Sequence, residues 1–170
     1  AGKSIIWVDT SMMDKKDESR LKGGSYCNYA ENNLIKKLLE NFKREGVLSQ
    51  LDIGIITGYR GQKDLIRKSV NNSGYDRIAK RIDINTLDAF QGRENDVIIY
   101  STVRTKNSIG FQKEKERVNV AFSRAKNLLI ICGDMDFFYR FDDPDNKFIE
   151  IIDYICEHED ECLIIPGGEI

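Results

Sequence analysis

Six short β-like runs recur along the 170-residue chain, over residues 4–9, 53–57, 82–86, 97–103, 128–132 and 162–165, with helix-period or polar segments between them. The strongest, Val97-Ile98-Ile99-Tyr100-Ser101-Thr102-Val103, is β-branched and nearly continuous in apolar residues. A strand with one solvated face alternates apolar and polar positions, whereas continuous runs suit strands buried on both sides. Such strands alternating with helices predict an α/β fold with a mainly parallel sheet and helices on both faces.

The helical segments carry their own signals. After Asn28, the residues Ala30, Leu34, Ile35, Leu38, Leu39 and Phe42 form one face, and Gly46 ends the pattern. Asn28 and Glu31 have capping-box spacing. Leu65, Ile66 and Val70 mark a second helix, broken at 71–74 by Asn-Asn-Ser-Gly. Val118, Ala121, Phe122 and Ala125 mark a third, and Phe148, Ile151, Ile152 and Ile155 a fourth. The polar stretch 12–24 reads as a loop.

Composition excludes several classes. No apolar run exceeds five residues, too short for a membrane helix, and no basic-then-apolar leader is present, so a cytoplasmic location is expected. The four cysteines form no CxxC pair and His158 is the single histidine. Zinc sites and histidine-based triads are therefore not expected, and Cys132 reads as a buried thiol. The near-neutral net charge of −2 conceals a division: residues 1–133 carry +8, and residues 134–170 carry −10. The basic part is compatible with phosphate or nucleic-acid contact. One domain spanning 1–170 is expected, with its motifs within 25–126 and an acidic segment at 134–170 that packs on a sheet edge or meets another surface.

In open α/β sheets ligands gather beyond the carboxyl ends of the strands. There this sequence places Thr57-Gly58-Tyr59-Arg60, the run from Thr86 to Glu94, Ser101-Thr102-Val103-Arg104 and Gly133-Asp134. Arg117 and Arg124 are seven apart, which would set two guanidinium groups on one helical face, with Asn119 and Ser123 on a neighbouring face.

The ordered set Thr86-Leu87-Asp88-Ala89-Phe90-Gln91-Gly92-Arg93-Glu94-Asn95-Asp96, Ile98-Ile99-Tyr100-Ser101-Thr102-Val103-Arg104, Ile109-Gly110-Phe111 and Arg117-Val118-Asn119-Val120-Ala121-Phe122-Ser123-Arg124-Ala125 resembles motifs V and VI of superfamily 1 helicases. The resemblance is to the group containing the nonsense-mediated-decay helicase. Ser25-Tyr26-Cys27-Asn28-Tyr29-Ala30-Glu31 and Gly54-Ile55-Ile56-Thr57-Gly58-Tyr59-Arg60-Gly61-Gln62 are similar to the same group's second domain, so the resemblance covers residues 4–140.

It implies a RecA-like domain of the P-loop NTPase type, the second half of an ATP-dependent DNA or RNA helicase. Arg124 would be the arginine finger on the γ-phosphate. Glu94 would contact the nucleotide, Gln91 and Gly92 would couple the nucleotide cleft to the strand path, and Arg117 joins the nucleotide set. Thr57, Tyr59, Arg60, Thr86 and Asn119 would line the path of a single strand. ATP and Mg²⁺ are the implied cofactors, held mainly by an N-terminal RecA-like partner domain, because no G-x-x-x-x-G-K-[ST] occurs in these residues. By itself the chain is then expected to be inactive. Where the group has Thr-Pro-Tyr, this chain has Thr57-Gly58-Tyr59. Two alternatives stay open on the residues alone: a non-motor scaffold binding nucleic acid or protein, and a metal-dependent nuclease using Asp83, Asp88, Glu94 and Asp96.

Overall fold

The computed structural model describes residues 4–90 and 92–170. In chain order the elements are β1 (Ser4–Asp9), β2 (Ser19–Arg20), β3 (Tyr26–Cys27), α1 (Tyr29–Arg44), β4 (Asp52–Thr57), α2 (Arg60–Ser73) and α3 (Tyr75–Ile78). Then follow β5 (Arg81–Thr86), β6 (Asn95–Ser101), α4 (Lys115–Ser123), β7 (Ala125–Gly133), α5 (Met135–Arg140), α6 (Lys147–Glu157) and β8 (Cys162–Pro166). Six strands form one sheet in the order β5-β4-β6-β7-β1-β8, with every neighbouring pair parallel. β2 and β3 form a separate antiparallel hairpin.

The sheet is covered on both faces, as the continuous apolar runs require. On one side Ile53, Ile55, Val97 and Ile99 meet Leu34, Ile35 and Leu39 of α1 and Ile66 and Val70 of α2. On the other, Trp7, Ile56, Ile98 and Tyr100 meet Val118 and Phe122 of α4, Phe138 of α5, and Phe148, Ile151, Ile152 and Ile155 of α6. Phe138 and Phe148 lie 4.5 Å apart between ring centroids, and Trp7 stands edge-on to Phe148 at 6.1 Å. The buried Trp7 indole N–H donates to the Gly133 carbonyl at 3.0 Å. Residues 134–170 thus belong to the fold: β8 forms an edge of the sheet beside β1, and α5 and α6 turn their apolar side into the core.

Three local expectations change. The stretch 12–24 is not all loop, because Ser19 and Arg20 pair with Cys27 and Tyr26. The strongest strand runs over Asn95–Ser101, two residues earlier than its apolar pattern. The third helix stops at Ser123, so Arg124 is its C-cap and Ala125 opens β7. There the strand ladder overrides helical periodicity: the Asn95 N–H donates to the Arg124 carbonyl at 2.9 Å, and Asn95 pairs with Ala125. Arg117 and Arg124 are therefore not two positions along one continuous helical face.

Candidate functional site

Parallel register sets Thr86, Thr57 and Ser101 side by side at the ends of β5, β4 and β6. Beyond this row opens a cleft of about 750 Å³, lined by Gly23–Tyr26 of the hairpin, Gly58 and Tyr59 before α2, Arg60 and Lys63 in its first turn, Asn85 and Thr86 at the end of β5, and Asp88 and Ala89 after it. Of the residues expected along a strand path, Tyr59, Arg60 and Thr86 share this cleft. Thr57 does not line it: the side chain is fully buried, and its hydroxyl accepts the Tyr59 N–H at 3.4 Å. Asn119 is exposed on α4, outside the cleft lining.

Two buried polar groups hold this end of the sheet in shape. Asn28 caps α1 by accepting the Glu31 N–H at 3.0 Å, but Glu31 does not reciprocate as a capping box would. Its carboxylate instead accepts the Ser101 hydroxyl at 2.8 Å and the Val103 N–H at 2.9 Å, and Gln62 takes over the Asn28 N–H at 2.8 Å. The physical reason lies at Val103, a β-branched residue at φ 64°, where the backbone leaves the sheet and its N–H needs a partner inside the protein.

Burial pushes the Glu31 carboxyl up to about 8, against its hydrogen bonds from Val103, Ser101 and Thr102, which act downward. The folded state then binds the extra proton between the ordinary glutamate range and pH 8. This group's contribution to stability therefore falls as pH rises through that window. Glu31→Gln keeps an acceptor for Val103 without the charge. Melting curves from pH 5 to 9 are expected to show the variant gaining on the parent as pH rises, by on the order of a few kcal/mol at the alkaline end; curves that stay parallel would remove Glu31 as the titrating group.

The second group is Arg104. Its guanidinium pairs with Glu18 at 2.9 Å, with side-chain exposures of 6% and 2%, and lies 4.2 Å from the Tyr26 ring centroid. The Tyr59 hydroxyl accepts from Arg104 at 3.4 Å and donates to the Ile109 carbonyl at 3.5 Å. Glu18 also accepts the N–H groups of Thr105 and Lys106 at 3.0 and 3.2 Å. The Tyr59 ring, 3% exposed, is thus part of the cleft's floor. Gly110, at φ 60°, leaves room for that ring, since a Cβ there would run into the Tyr59 hydroxyl.

The nucleotide set lies elsewhere. β5 and β6 are both parallel to β4 and flank it, so the connection 87–94 must travel back along the sheet to start β6. Glu94 and Gly92 consequently sit at the amino-terminal edge of the strands, about 20 Å of strand length from Thr86. Gly92 has φ 73°, a conformation glycine adopts without strain, and Glu94 is exposed. Arg93 ties this segment to Asp52 and Asp83. Arg124 stands at the same edge. It is half-buried, its Nε is buried without a hydrogen-bond partner, and among the described residues it makes no ion pair. Gln91 lies outside the described residues.

Arg117 does not join this group. It is exposed and engages Asp88, after β5, and Glu114, the latter at 2.8 Å. The run from Thr86 to Glu94, expected as one set beyond the carboxyl ends of the strands, is thereby corrected: Thr86 and Asp88 stand at that edge, whereas Gly92 and Glu94 lie at the amino-terminal edge. The nuclease alternative loses its ligand set, because Asp83 and Asp88 are paired with arginines, Asp96 accepts the Asp52 N–H, and no group of three or more candidate ligands occurs among the described residues. No described helix is long and apolar enough to cross a membrane.

A family model described as an AAA domain matches residues 1–136. DNA polymerase alpha-associated DNA helicase A of Saccharomyces cerevisiae is 34% identical over 158 residues, which is 90% of this chain and 22% of that protein. A regulator of nonsense transcripts 1 homolog of Neurospora crassa is 38% identical over 122 residues, 69% of this chain and 11% of its own length. An uncharacterized ATP-dependent helicase of Methanocaldococcus jannaschii is 34% identical over 157 residues, 92% of this chain and 21% of its own. The chain spans less than a quarter of the length of each of these relatives. With the motif residues placed as above, the chain belongs to this AAA-domain family, as a RecA-like C-terminal domain of the superfamily 1 helicases in the nonsense-mediated-decay group.

Proposed function

We propose that this chain is the second half of an ATP-driven motor on single-stranded DNA or RNA, supplying an arginine finger from one edge of its sheet and part of the strand path from the other. The observation that most supports this reading is Arg124, a half-buried arginine with an unpartnered Nε and no ion pair among the described residues. An arginine with no counter-ion among the described residues leaves its fork of donors available to an anion from outside the chain. The γ-phosphate of ATP, held on a phosphate-loop domain, is such an anion. Arg124 would stabilise charge developing on the transferring phosphoryl group, and Glu94, exposed nearby on the same edge, would meet the rest of the nucleotide. ATP and Mg²⁺ would be held mainly by the partner domain. The helicases among the relatives support nucleic acid as the other ligand; Arg60 and Thr86 would be its contacts in the cleft, and residues 1–170 would act as one unit. Thr57 would act through the turn it braces and Asn119 from the exposed side of α4. Arg117, paired with Asp88, would connect the cleft to α4, the helix whose C-cap is Arg124.

The test uses the 170-residue chain alone. It is expected to bind a labelled oligonucleotide weakly, with affinity falling steeply as salt rises, and to hydrolyse no ATP, since nothing in it supplies a phosphate loop. Strand-stimulated turnover by this chain, or binding indifferent to salt, would overturn the reading.

A further inference from the structure

The β2–β3 hairpin stands against the cleft, and its first strand and tip, Ser19 to Gly24, belong neither to the motifs nor to the proposed strand path. Its turn, Gly23 and Gly24 with Ser25 and Tyr26, forms a wall of the cleft opposite Asn85–Ala89. The hairpin is docked closely on the first turn of α2. The Gly61 N–H donates to the Ser25 hydroxyl at 3.0 Å, and a Cβ on Gly61 would run into Leu21 and crowd the Tyr26 carbonyl. The buried Glu18–Arg104 pair then clamps its base to the loop after β6. This wall is therefore rigid, and rigid placement lowers the entropic cost of contact.

Its chemistry is cationic and open. Arg20 and Lys22 are exposed, and neither makes an ion pair among the described residues. The Arg20 guanidinium lies 5.7 Å from the Tyr26 ring centroid and faces Gly24. Gly23 and Gly24 have φ of 85° and 89°, and nothing lies within 4 Å of where a Cβ on Gly23 would stand, so a ligand can approach the backbone of the tip. Arg20 and Lys22 flank the tip that lines the cleft, Arg60 and Lys63 are the cations of the lining itself, and the one carboxylate among the lining residues, Asp88, is engaged by Arg117.

Resting on the proposed strand path, we infer that the hairpin is a further nucleic-acid contact surface, with Arg20 and Lys22 taking backbone phosphates of a single strand that runs past the Gly23–Gly24 turn into the cleft. Contacts of this kind are indifferent to base sequence and act through counterion release.

Each phosphate contact on a single strand contributes about 0.7 to the slope of log Kobs against log salt. Labelled oligo(dT) and oligo(U) would be titrated with the 170-residue chain across a salt series. For Arg20→Gln/Lys22→Gln the slope is expected to become shallower by about 1.4, and for Lys22→Gln alone by about 0.7, on both oligonucleotides. Lys43→Gln/Arg44→Gln, which removes the same charge from the last turn of α1 at the other end of the sheet, is expected to leave the slope unchanged. A melting curve checks that each variant folds. If Arg60→Gln lowers the slope but the hairpin variants do not, the hairpin inference falls and the strand path stands. Equal losses from the hairpin and control pairs would reduce the effect to net charge and also overturn it. Absence of binding by the unaltered chain overturns both readings.

Discussion

Arg124→Ala, in a protein that joins this domain to its phosphate-loop partner, is expected to lower strand-stimulated ATP turnover at least about 100-fold while nucleotide affinity stays within roughly tenfold. A guanidinium that meets the γ-phosphate mainly as charge develops contributes to the transition state more than to the bound ground state. Arginine fingers are worth roughly 10³–10⁵ in kcat in well-characterised phosphoryl-transfer systems, so the expected loss is a lower bound. Arg124→Lys is expected to recover little, because a point charge does not reproduce the planar fork. Melting is expected to change little, since Arg124 has no ion pair to lose among the described residues. Steady-state ATPase rates at saturating strand, a fluorescent-nucleotide titration and a melting curve separate these effects. Turnover within threefold of the parent would end the finger assignment.

Arg104→Ala is expected to act in the opposite way, through the fold. The substitution strands Glu18, whose side chain is 2% exposed, beside two backbone N–H groups but without its countercharge. Removing one partner of a buried pair costs about 3–5 kcal/mol. For a domain of this size that is a fall on the order of 10 °C in Tm. The hairpin also loses the contact that clamps its base, so the salt slope of strand binding should drop even where enough folded protein remains. In Arg104→Ala/Glu18→Gln the stranded charge is gone, and the double variant should be more stable than Arg104→Ala alone. A loss below about 1 kcal/mol, the usual value for an exposed pair, would show that the Glu18–Arg104 contact does not hold the hairpin.

Arg124, Glu94 and Thr86 could be singled out in the chain only through the ordered motifs they share with a family, since each by itself is an ordinary polar residue beside an apolar run. The residues that shape the site were harder to see. Glu18 and Arg104 are 86 positions apart, and nothing local to either announces the other. Glu31 had the spacing of a capping partner, yet its carboxylate serves β6, because the buried Val103 N–H and Ser101 hydroxyl need it more than the helix end does. The hairpin was missed because two residues per strand carry no period to detect.

Apolar period by itself determined the class of fold and the two covered faces, since burying those runs leaves few other arrangements. It could not say which edge each motif occupies. That followed from strand order: with β4 between β5 and β6, a parallel connection must run back along the sheet, carrying Gly92 and Glu94 about 20 Å from Thr86 to stand beside Arg124. Nor could helical spacing place Arg124, because pairing of Asn95 with Ala125 ends the helix one residue before it and leaves the guanidinium at the strand edge.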